Sequence, residues 1–88
     1  MKFPLGRLVA TPAALDAMES HGINPAALID RHSNGDWGDL CAEDKALNDA
    51  AINDGTRIVS SYVVGSQKIW CITEADRSST CIMLPEDY

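Results

Sequence analysis

No apolar run in this sequence approaches the roughly 18 residues needed to cross a bilayer, so an integral membrane protein is not expected. Met1 to Leu8 carries basic residues but neither an apolar segment nor a small-residue cleavage site. Secretion is therefore not indicated, and the cytoplasm is the expected compartment. Cysteine is scarce: Cys41, Cys71 and Cys81 are odd in number and widely spaced. That excludes a disulfide framework and fits reduced thiols that behave as small buried hydrophobes. Positive charge is scarce too, with 7 basic side chains against 13 acidic ones and a net charge of −6. Such a chain repels a phosphate backbone, which disfavours direct binding to nucleic acid. Clustered cysteine and histidine spacings and a calcium loop are absent, so neither metal nor cofactor is expected. No Gly-x-Ser-x-Gly, phosphate loop or dinucleotide fingerprint points to a reaction, and the chain is read as non-enzymatic.

What is present is an ordinary globular composition, 45% hydrophobic and 23% charged over 88 residues. That length has room for one domain, residues 1–88, burying roughly 60–65% of the surface its unfolded form exposes. Thr11-Pro12 opens a first helix, because threonine can cap free amides and proline is preset for the first helical position. Gly22 closes it. Asn24-Pro25 repeats the start signal for a second helix that runs to about His32. Two helices joined by Gly-Ile-Asn resemble a helical hairpin, but only Arg31 and His32 at the far end could read DNA, so a DNA-reading role is not expected. A third helix spans about Ala42 to Asn53, with Ala46, Leu47, Ala50 and Ala51 as its apolar stripe.

From Arg57 the apolar period changes to two. Residues 57–64 and 67–73 form a hairpin about the Gly65-Ser66 turn, pairing Val64 with Gln67, Tyr62 with Ile69 and Ser60 with Cys71. A polar loop leads to a third strand, residues 79–84. With Trp70 placed opposite Ile82, Cys71 falls opposite Cys81, both as reduced, buried thiols. Residues 7–10 are an extended arm or a fourth, edge strand. The fold class is α+β: two or three short helices in residues 12–54 packed on a C-terminal three-stranded antiparallel sheet.

Three groups of residues are candidates for function. Asp36, Asp39, Glu43 and Asp44 put four carboxylates in nine residues with no base among them. They are either a patch for a basic partner or helix-capping groups, with Asp39 or a neighbour as the cap and Glu43 and Asp44 at the positive end of the dipole. Trp37, between two glycines, is either an apolar anchor or tucked under the third helix. Glu74, Asp76 and Arg77 lie in the most polar loop. They could serve a small ligand or acid–base chemistry, or Asp76 and Ser78 could bond the turn while Arg77 pairs with a carboxylate. His21 and His32 sit at helix ends, where imidazolium suits the dipole.

Gly35-Asp36-Trp37-Gly38-Asp39-Leu40, Glu43-Asp44, Asn48, Arg57-Ile58-Val59-Ser60, Tyr62, the run from Ile72 to Thr80, and Leu84-Pro85-Glu86-Asp87-Tyr88 together resemble a family of small bacterial proteins. These are labelled plasmid-related or hypothetical and are associated with plasmids and other mobile elements. The likeness extends to the opening Met1-Lys2-Phe3-Pro4-Leu5-Gly6-Arg7. It implies a setting rather than a reaction. Small acidic proteins of mobile elements often inhibit host defence by occupying a nucleic-acid-binding surface. The expected function is accordingly an inhibitor of the anti-CRISPR or anti-restriction type. Its expected partner is a host protein with a basic face, met through Asp36, Asp39, Glu43 and Asp44 with Trp37 as anchor. A small enzyme using the loop at residues 74–80, or an accessory of plasmid maintenance, is the alternative.

Overall fold

The computed structural model describes residues 1–88. Strand β1 (Arg7–Ala10) precedes three helices, α1 (Pro12–Ser20), α2 (Pro25–Ser33) and α3 (Ala42–Asp54). Strands β2 (Ile58–Val64), β3 (Gln67–Thr73) and β4 (Ser79–Met83) follow, and a single 3-10 turn at Pro85–Asp87 ends the chain. The sheet order is β1-β4-β3-β2. The fold is α+β, and β1 is a true fourth strand that pairs with β4 in parallel, making the sheet mixed.

Local chemistry sets the helix starts. Thr11 Oγ1 accepts from the Ala14 amide, the Asn24 side chain accepts from the Ala26 amide, and a proline follows each cap. Gly55 closes α3 in the left-handed conformation, as expected of a residue without Cβ. The two-residue turn fixes the β2–β3 register as Val64 with Gln67, Tyr62 with Ile69 and Ser60 with Cys71, matching the sequence expectation. Strand β4 is one residue out of the expected register: Cys71 faces Ile82, and Cys81 faces Ile72. Side chains alternate along a strand, so Cys71 and Cys81 point to opposite faces. The cause is the loop after Thr73, where Arg77 takes a positive φ and Glu74 N donates to Ser79 O, making Thr73 and Thr80 the closing pair.

Helices α1 and α2 cover one face of the sheet. Ala14, Ala17, Met18 and Leu28 pack there on Tyr62, Ile69, Cys71 and Ile82. A second core, of Phe3, Trp37, Ala51 and Ile58, sits where α3 meets β2. Val59, Ser61, Lys68 and Trp70 alternate onto the other face, which no helix layer covers. Tyr88 folds back there with its ring edge-on to Trp70 at 5.9 Å.

The outer edge of β2 is closed without a further strand. Asn48 of α3 donates to the Val59 carbonyl at 2.7 Å and accepts from the Val59 amide at 3.2 Å. Beside it the Trp37–Asp39 loop satisfies Ser61, whose amide donates to Trp37 O and whose carbonyl accepts from Asp39 N. Gly38 has a positive φ here, and a Cβ on it would collide with the Ser61 carbonyl, so the approach depends on glycine.

Candidate functional site

Residues 36–54 hold six acidic side chains, namely Asp36, Asp39, Glu43, Asp44, Asp49 and Asp54, against the single base Lys45. This stretch therefore carries five of the chain's six excess negative charges. It includes α3, which buries only Asn48 and Ala51. The expected apolar stripe is largely in solvent: Ala46 and Ala50 are exposed, and Leu47 is 63% exposed. The reason is that α3 lies against the edge of β2 and fastens there by the Asn48 amide, leaving its flanks open.

The four carboxylates of the expected patch have different fates. Asp36 pairs with Arg31 at 2.7 Å and also accepts from the Gly38 amide. The Arg31 guanidinium holds its carboxyl below the usual carboxylate range. Asp39 faces Lys68 at 3.6 Å and does not cap α3; the cap position is Cys41, which makes no side-chain bond to the helix. Glu43 and Asp44 occupy the first turn of α3, where they suit the helix dipole, and neither forms an ion pair.

Trp37 is not a surface anchor. It is 3% exposed, packs with Phe3 and His32, and donates its indole N–H to Asp49 at 2.9 Å. The glycines on either side turn the backbone so that the ring goes inward beneath α3.

The polar loop at residues 74–80 is an internal tie. The Arg77 guanidinium donates to the carbonyls of Ala51 at 2.8 Å and Thr56 at 2.7 Å, and also to Glu74 and Ala75. It does not pair with a carboxylate; instead it satisfies the end of α3, where free carbonyls gather. Asp76 accepts from the Ser78 amide, and Glu74 meets Arg57 at 3.5 Å. None of the three surface hollows is lined by Glu74, Asp76 or Arg77.

The hollow with the most polar functionality lies on the open face of the sheet, with a volume of about 570 Å³. Leu40, just before α3, and Asp44 and Leu47 on it form one wall, and Val59, Ser61 and Trp70 the sheet side, with Arg57, Asp39 and Lys68 also in the lining. The volume is within the range of about 300–1,000 Å³ usual for ligand sites. Two expected patch residues, Asp39 and Asp44, thus meet sheet residues that single-sequence reading did not connect with them. No group of three or more His, Cys, Asp or Glu side chains is placed to hold a metal ion.

Sequence reading also missed His32. It is fully buried, with Nδ1 2.5 Å from Ser60 Oγ and Nε2 2.9 Å from Thr73 Oγ1. Thr73 Oγ1 lies 2.7 Å from Thr80 Oγ1, which donates to the Leu5 carbonyl at 2.8 Å. A carbonyl can only accept, and that fixes the direction of the chain as far as the ring: Thr80 donates to Leu5, Thr73 to Thr80, and His32 Nε2–H to Thr73. Burial lowers the His32 pKa to about 4, so near pH 7 the ring is neutral, not the imidazolium expected at a helix end, and Nδ1 is left to accept from Ser60. The alternating hydroxyls Ser60 and Thr73 were the available signal, since a strand face turned to a core seldom carries them without a shared partner.

Comparison with protein-family models, curated proteins and solved structures finds no match for this chain.

Proposed function

We propose that this chain is a non-enzymatic protein-binding inhibitor that meets its partner through the acidic surface of α3 and the loop before it. The partner is a host protein with a basic, nucleic-acid-binding face, of the kind found in CRISPR or restriction complexes. One observation carries the reading: five of six excess negative charges lie on residues 36–54, the loop and the helix α3 that leaves Leu47 in solvent. A leucine withheld from the core forgoes about 1.5–3 kcal/mol of burial, which a partner can recover. Charge supplies steering and selects for a basic face, and Leu47 supplies the apolar contact in place of the buried Trp37. Glu43, Asp44 and the outer side of Asp39 form the acidic contact, while Asp36 is partly committed to Arg31.

The discriminating variant is Glu43→Lys with Asp44→Lys, because these groups hold no ion pair and their loss leaves the core intact. Purified chain is titrated against CRISPR effector and restriction complexes at two salt concentrations. Binding of the parent that weakens with salt, and a reduction of at least tenfold in the variant, are expected. Equal binding by the reversed-charge variant removes the proposal. The enzyme reading draws no support from the loop at residues 74–80, whose polar groups are engaged within the fold.

A further inference from the structure

The two outer edges of this sheet are finished differently. Beyond β2, the Asn48 amide and the Trp37–Asp39 loop take up the backbone groups of Val59 and Ser61. Beyond β1 nothing does so. The Arg7 amide donates to Ser78 O at 3.0 Å and the Thr11 amide to Ile82 O at 2.9 Å, so alternate residues of this strand turn to β4. Leu8 and Ala10 fall between them. Their N–H and C=O groups point outward, where no loop or helix bonds them. Such a row of free donors and acceptors is a template for another strand. No lysine, proline or bulge interrupts Leu8-Val9-Ala10, and Leu8 is 55% and Val9 40% exposed. An apolar groove of about 410 Å³ lies along the strand, with Leu8, Ala10 and Ile82 of the sheet and Pro25, Ala26 and Ile29 of α2 in its lining.

We propose that β1 pairs with β1 of a second copy of this chain, antiparallel about a two-fold axis at Val9, so that two four-stranded sheets become one. The strand matches itself in this register. Leu8 and Ala10 of one copy exchange both backbone bonds with Ala10 and Leu8 of the other, which sets each Leu8 beside the other copy's groove. Arg7 comes opposite Thr11 of the other copy, whose hydroxyl donates to the Asp87 carboxylate at 2.7 Å. Neither Arg7 nor Asp87 has an ion partner within one copy, and the run from Arg7 to Thr11, roughly 13 Å, keeps them apart. The two-fold axis supplies each Asp87 with a guanidinium.

Charge also selects this edge for a second copy. Residues 1–15 contain Lys2 and Arg7 and no carboxylate, while the remainder carries all 13 acidic groups. An acidic chain therefore repels its own copy least here. The one carboxylate in the groove lining, Asp30, accepts from Asn34. Pairing uses the open edge of both copies and leaves only the closed β2 edges outward, so it stops at two. The α3 surfaces then lie at opposite ends of the joined sheet, and the inference stands whether or not they bind a host protein.

The contact is short, since β1 has only four residues, and a dissociation constant on the order of 10 μM is expected. Sedimentation equilibrium of the full chain across the micromolar range is expected to show the mass doubling. Hydrogen exchange of the Leu8 and Ala10 amides should slow as concentration rises, while that of Val9, turned to β4, stays unchanged. Arg7→Glu and Asp87→Lys are each expected to pair about tenfold more weakly, and an equimolar mixture of the two to regain the parent affinity, because each new charge then meets its opposite. Circular dichroism checks that both remain folded. Should Asp87→Lys unfold, Leu8→Pro, which removes only an outward N–H, is expected to abolish the dimer by itself. A chain that stays monomeric, a dimer that Leu8→Pro leaves intact, or a mixture no tighter than its components overturns the inference. So does a monomer whose Leu8 and Ala10 amides are protected only by an added peptide of unrelated sequence, which would assign the edge to a foreign strand.

Discussion

Lowering the pH from 7.5 to 4.5 sets the hydrogen-bond chain of His32 against a proton. In the unfolded chain this imidazole has its ordinary pKa of about 6.5. In the fold, burial brings it to about 4. Between those values the unfolded chain holds a proton that the native one refuses, so stability falls as the pH falls. The contribution is fully present above pH 6.5 and is lost progressively down to about 4. Each unit crossed is worth about 1.36 kcal/mol, so by pH 4.5 about 2.5 kcal/mol has gone. That is a large share of the roughly 5–15 kcal/mol typical of a small domain. Urea unfolding followed by circular dichroism at both pH values measures it, with His32→Gln as the control. The variant keeps a donor and an acceptor but binds no proton in this range. Asp36 and Asp76, whose carboxyls are held low by Arg31 and by Ser78, act alike in both proteins and cancel in the difference. Wild type is expected to lose about 2.5 kcal/mol more than His32→Gln. Equal losses, within about 0.5 kcal/mol, would refute the reasoning.

Two further outcomes are expected. Asn48→Ala strips both backbone groups of Val59 of their partner and should lower stability by about 1–3 kcal/mol; an unchanged urea midpoint would show that water replaces the amide at no cost. Of the three thiols, Cys41 is exposed, Cys81 half-buried and Cys71 buried, with burial pushing the Cys71 thiol up to about 12. A thiol reagent should therefore titrate Cys41 at once in the native protein, Cys81 more slowly, and all three after denaturation; a single thiol under both conditions would reveal a bridge.

What the sequence made legible was local. Thr11-Pro12 and Asn24-Pro25 announced two helices, and Gly65-Ser66 announced a turn short enough to dictate the β2–β3 register. The loop from Glu74 to Ser78 announced a connection but not its length in pairing terms. That length turned on Arg77 adopting a conformation few residues with a side chain adopt. Trp37 between glycines was compatible with display and with burial, and the choice was made by Phe3 and Asp49, distant in sequence, and by His32 in the preceding helix. The acidic patch was visible as composition. Its division into paired and unpaired carboxylates was not, because Arg31 and Lys68 reach it from another helix and from the sheet.

The parallel seating of β1 on β4 has a consequence for the order in which this chain can assemble. The β2–β3 hairpin closes across two residues and can form early, with little entropy to overcome. Strand β1 has no such neighbour: Arg7 waits for Ser79, Thr80 for Leu5, and Thr11 for Asp87, whose carboxylate accepts its hydroxyl at 2.7 Å. During synthesis the opening strand and α1 to α3 therefore emerge with no sheet to join, and Ala14, Met18 and Leu28 stay uncovered until the sheet forms. Contacts so distant in sequence slow folding and lengthen the interval in which such side chains can find wrong partners. For this chain the first strand to be made is the last to be placed.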